Sequence, residues 1–152
     1  MSNYNTVNNR TLLAALIGGL VSFLLSFLLR GTLLAAFYRE NAGTAAGIMK
    51  TPPDTLAVLA GHLIIGLLYA LLFSGWAGIS TARTGAIRGG WIGFLVFLSH
   101  NLILFGNSKY LNMSAVLVDS IVGGIMGAVV GAVVGSVLGG MPSFSGRGRK
   151  SK

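Results

Sequence analysis

The sequence predicts an all-α polytopic membrane protein: four transmembrane helices in an up-down bundle with tight small-residue packing. Three observations carry this. The 152 residues are 53% hydrophobic and only 9% charged, with a mean hydropathy of +0.78. Soluble domains carry about 25% charged residues, so this chain cannot clothe a water-facing surface. Four apolar stretches each approach the roughly 20 residues that a bilayer crossing needs. The last of them places glycine at every fourth position.

The first ten residues read as a cytoplasmic segment. Arg10 precedes an apolar run longer than a signal-peptide core, and no A-x-A site follows, so the first span (residues 11–29) is read as retained. The outer loop, residues 30–55, is long for so small a protein. Its apolar start, 33–38, ends in Arg39 and Glu40 and either extends the first helix or lies in the interface. Residues 41–47 are small and turn-like. Pro52 and Pro53 then stop any helix before Asp54 and Thr55 open the second span, 56–79. The third span covers 86–105 and the fourth 115–138. None contains proline, and none shows the polar stripe of a soluble bundle helix. Backbone groups in lipid must be satisfied internally, which segments of this length do as helices. The transmembrane domain is thus residues 11–140. Residues 141–152 mix serine, glycine and basic residues and are predicted to form a disordered cytoplasmic tail. Beside a membrane span, its charges suit anionic lipid and not nucleic acid.

Eleven basic residues set the orientation. Arg10, Arg83, Arg88, Arg147, Arg149, Lys150 and Lys152 fall on one side. Arg30, Arg39, Lys50 and Lys109 fall on the other. The bias places both termini in the cytoplasm and the chain in the cell (inner) membrane. Trp76 and Trp91 at the inner ends, and Tyr38 and Tyr110 at the outer ends, suit aromatic belts. The glycosylation sequons at Asn9 and Asn112 read as chance spellings.

Within the fourth span, Gly123, Gly127, Gly131, Gly135 and Gly139 form a strip of the glycine-zipper kind. Ser120, Gly124, Ala128, Ala132, Ser136 and Gly140 run beside it. The other positions, Val130 among them, are bulky, and Val130→Leu on that face is expected to be tolerated. A bare face lets a neighbouring helix approach closely where lipid supplies no hydrophobic drive. Gly85, Gly89 and Gly93 form a matching strip on the third helix. Ala14, Gly18, Ser22 and Ser26 do so on the first, and Gly66, Ala70, Ser74 and Gly78 on the second.

Continued outward in steps of four, the strips meet Arg30, His62, Asn101 and Asp119. His62, Asn101 and Asp119 fall at similar depth, which predicts an outer-leaflet polar cluster. An acid inside a span is costly and finds a partner, and Arg30 or His62 could serve Asp119. The cluster reads first as a structural ion pair, with a proton- or ion-handling site as the alternative. His62 and His100 share a depth on different helices, as bis-histidine ligation needs. Two histidines carry little weight for it, since such residues more often hydrogen-bond to a neighbour. The absence of cysteine excludes disulfides, thiol catalysis and Cys-based metal sites. With three acids and two histidines, no catalytic, cofactor or metal site is expected.

Phe37-Tyr38, Asn41-Ala42-Gly43, Met49-Lys50 with the following prolines, Trp76-Ala77 and Ile79-Ser80-Thr81, together with Gly85, Gly89 and Asp119, make the chain familiar. It resembles a family of small uncharacterised bacterial integral membrane proteins with four predicted spans, over roughly residues 12–139. The resemblance implies a multi-pass bacterial protein and brings no activity with it. Relatives often carry Asp-Leu where this chain has Asn101-Leu102, so an acid is missing here.

Function is therefore expected in structure or interaction: a bundle that self-associates or serves as accessory subunit of a membrane complex, with membrane lipids around it. A small oligomeric transporter or channel is the alternative.

Overall fold

A computed structural model of the chain describes residues 8–44, 47 and 52–140. The tail expected beyond residue 140, the N-terminal segment before residue 8 and Lys50 lie outside the described residues. Four helices are long and apolar enough to cross a membrane. The protein is an all-α, multi-pass membrane protein.

Each of the four long helices starts where the sequence offers a polar cap. The Asn8 side chain accepts from the amides of Arg10 and Thr11 and opens α1, Asn9–Ser26. This helix continues through a π-helical stretch, Phe27–Leu33, whose wide last turn closes with the Leu34 amide on the Leu29 carbonyl at 2.8 Å. A short α2, Ala35–Glu40, follows. Asp54 caps α3, Thr55–Leu71, by accepting from the Ala57 amide. The second π-helical stretch, Leu72–Ala77, ends at Gly78, whose φ of 58° is the left-handed stop that glycine adopts freely. Thr81 caps α4, Ala82–Asn107, and Asn112 caps α5, Met113–Gly140, by accepting from Ala115 at 2.9 Å.

The helices run up and down, so the α1–α2, α2–α3 and α4–α5 connections share one end of the bundle, the loop end. There a short strap ties two connections together. The Gly43 amide donates to the Tyr110 carbonyl at 2.8 Å, and the Asn112 side-chain amide donates to Asn41 Oδ1 at 3.0 Å. A side chain at Gly43 would collide with the Lys109 backbone, so glycine is required here.

Packing follows the small residues. The closest pair is α4 with α5, then α1 with α3, and the two pairs join along α1 and α5. A Cβ at Gly85 would strike the Gly131 carbonyl, one at Gly89 the Gly127 carbonyl, and one at Gly93 the Gly123 carbonyl. Gly135 faces the Thr81 carbonyl and Gly139 the Ser80 carbonyl. Backbone thus lies on backbone over most of the α4–α5 seam, with the Phe97 side chain packed on Gly123 at its loop end, gaining dispersion contacts that a side chain on the glycines would prevent.

The opposite face of α5 corrects one expectation. Its bulky residues do not all face lipid: Val122, Met126, Val130 and Val134 are buried. A Cβ on Gly18 of α1 would meet Val134 Cγ2 at 2.6 Å and Val130 Cγ1 at 3.6 Å. Helix α5 is central, packing its glycine face on α4 and a valine–methionine face on α1. Met113, Leu117, Ile121, Ile125 and Val129 form its exposed apolar stripe.

Candidate functional site: an intramembrane polar cluster

Asp119 sits six residues into α5 and Asn101 six residues before the end of α4, each about 9 Å inside the loop end at 1.5 Å per residue. Arg30 lies in the π-helical stretch that ends the first span. A π-turn there shifts the side-chain phase relative to a plain α-helix, and such turns recur at functional positions.

The three residues meet. Arg30 Nε donates to Asp119 Oδ1 at 2.7 Å, and Asn101 Nδ2 donates to Asp119 Oδ2 at 2.9 Å. A fourth group completes the site: the Tyr38 hydroxyl donates to Asp119 Oδ1 at 2.8 Å. Both carboxylate oxygens are thereby occupied. Burial, followed by the bond to Asp119, holds the Tyr38 phenol well above its ordinary value, so it stays a donor. The guanidinium lies over the Phe97 ring, 4.6 Å from its centroid, with Nη1 on Met126 Sδ at 3.5 Å. Its Nη2 is buried and has no hydrogen-bond partner among the described residues. One cluster therefore ties α1, α2, α4 and α5 together at the level where the helices would otherwise rely on apolar contact.

Two residues expected in the cluster lie elsewhere. His62 is half-buried on α3, which packs chiefly against α1. Its Nδ1 shares a 2.8 Å hydrogen bond with Ser22 Oγ, and its ring meets Phe23 edge-on. Equal depth did not give it a bond to Asp119, because its ring turns to Ser22 and Phe23 of α1. His100 neighbours Asn101 in sequence, but one helical step of about 100° separates their directions. Asn101 is buried and His100 is exposed. The two histidines accordingly face different surroundings.

Tyr38 went unassigned to the cluster because its position suited an aromatic belt. The apolar run 33–38 was the available signal: a short helix folding back after the first span returns its last aromatic to the bundle. Among the described residues no group of three His, Cys, Asp or Glu could hold a metal ion. Comparison with family models, curated proteins and solved structures finds no match.

Proposed function

We propose that the chain is a non-enzymatic structural or interaction protein of the cell membrane, an accessory subunit of a larger assembly or a self-associating bundle. The observation that carries this is the saturation of Asp119. The acid within the spans gives both oxygens to Arg30, Tyr38 and Asn101. A carboxylate so held fastens helices and does not exchange ions. The family resemblance to bacterial four-span proteins belongs to this proposal and agrees with it.

We place both termini in the cytoplasm on the bias of seven basic residues to four. Pairing with Asp119 neutralises one of those four, Arg30. The glycine strips of α4 and α5 are mainly consumed within the chain, so self-association would use other faces.

Native mass spectrometry of the protein, extracted gently from its own membrane, tests the reading. Stoichiometric partner chains or a compact homo-oligomer are the expected outcome. A ring of copies around a central pore would favour transport instead, and a lone protomer in every gentle extraction would overturn the assembly role.

A further inference from the structure

The bundle is open on one side. Helices α3 and α4 make almost no close backbone approach to each other, and a cleft runs between them. Its walls are Ile65 and Leu68 on α3 and Ile92 and Val96 on α4, with Met126 and Val130 of α5 behind. Toward the terminal end it stops at Tyr69, whose hydroxyl crosses the gap to the Gly89 carbonyl at 2.9 Å. Toward the loop end it reaches Ser22, His62 and Phe97.

The cleft is narrow. It holds about 450 Å³ of empty space counting its open mouth. A helix cannot enter, because packed helices need axes roughly 8–10 Å apart. A single hydrocarbon chain fits such a slot, and His62 to Tyr69 spans about 10 Å along α3.

One end is polar. The second ring nitrogen of His62 makes no hydrogen bond to a described residue. An apolar slot that ends in an imidazole nitrogen free to hydrogen-bond, and opens sideways into a bilayer, matches an amphiphile with a polar head.

We propose that the α3–α4 cleft is a lipid-binding site, in which one acyl chain of a membrane phospholipid lies in the slot and an oxygen of its head group hydrogen-bonds to the second ring nitrogen of His62. The site stands independently of the interaction role. It requires only that the helices cross a bilayer.

The test uses the full chain in phosphatidylcholine vesicles containing a small fraction of phosphatidylglycerol with a diazirine-bearing acyl chain. After irradiation, labelled residues are mapped by mass spectrometry. Labelling should concentrate on Ile65, Leu68 and Ile92 over Ile87, Trp91 and Ile125, which are exposed on the outer α4–α5 face. Val96→Trp, which fills the mouth, should lower cleft labelling about tenfold. Leu95→Trp, at an exposed position outside the cleft, should leave it unchanged. His62→Phe should release the retained lipid several-fold faster while the fold persists. Equal labelling of the two faces overturns the site even if Val96→Trp fails to fold. So does an unchanged pattern in a folded Val96→Trp, or a second copy of the chain cross-linked through α3 and α4.

Discussion

Asp119 collects three donors, and each should register differently when removed. Asp119→Leu leaves the Arg30 guanidinium without its counter-charge and two further donors unpaired. Breaking a sealed pair costs about 3–5 kcal/mol. Here the side chains of Arg30 and Asp119 keep 23% and 13% exposure, so about 2–3 kcal/mol is expected in reversible unfolding from mixed micelles. Asp119→Asn keeps a carbonyl acceptor and should cost clearly less. Tyr38→Phe removes a single bond to an oxygen that Arg30 still occupies, a loss of about 1 kcal/mol. Its pH dependence is more telling. Because the folded state holds the phenol above its ordinary value, that stabilisation is complete below about pH 10 and declines as pH rises beyond it. Unfolding midpoints on the alkaline side should therefore fall more steeply in the wild type than in Tyr38→Phe, and parallel curves would disprove the coupling. The Arg30–Asp119–Asn101 part of the site was legible in the sequence, since helical rise puts residues of known span position at known depth. Depth alone says nothing of azimuth, which is why His62 and His100 were grouped with them.

At the scale of the helices, glycine at every fourth position identified the α4–α5 seam residue by residue, because only backbone-to-backbone approach uses such a strip. The second face of α5 was not legible. Valine and methionine suit lipid and a protein core equally, so hydropathy cannot separate them. The two faces give opposite expectations for single methyl groups. Gly131→Ala would drive a Cβ into the Gly85 carbonyl and should destabilise by several kcal/mol or abolish folding, whereas Gly124→Ala meets Phe94 Cβ at 3.2 Å and needs only a small shift. Gly61→Ala meets nothing within 4 Å and should gain up to about 1 kcal/mol from helix propensity. Val130→Leu, expected from the sequence to be tolerated, falls instead on a residue only 1% exposed. It should cost about 1–3 kcal/mol by overpacking against α1, while Val129→Leu, on the exposed stripe, should be neutral. Thermal midpoints in one detergent order these five variants. Equal midpoints for Gly131→Ala and Gly61→Ala would mean the seam is not tight.

Across the whole molecule, an uneven pair of halves emerges. Helices α4 and α5 form a rigid unit through their glycine seam, and α1 with α3 forms a looser one, joined to it along α5 and by the polar cluster and loop strap at one end. The terminal end has neither cluster nor strap among the described residues, and it carries the basic residues Arg83 and Arg88 in the first turns of α4. This asymmetry of charge is the basis of the proposed orientation: short basic segments favour the cytoplasmic side, and the loop end, with Arg30 paired to Asp119, is proposed to be the translocated one. The absence of native cysteine makes this directly measurable. Single cysteines at Pro53, beside the loop end of α3, and at Ala82, at the terminal end of α4, occupy exposed positions. In intact cells an impermeant maleimide should modify Pro53→Cys and spare Ala82→Cys until the membrane is opened. The same contrast is expected between Thr51 and Ser145, outside the described residues. Modification of Ala82→Cys in intact cells, with Pro53→Cys protected, would invert the topology. It would also place the polar cluster and the mouth of the lipid cleft in the cytoplasmic leaflet.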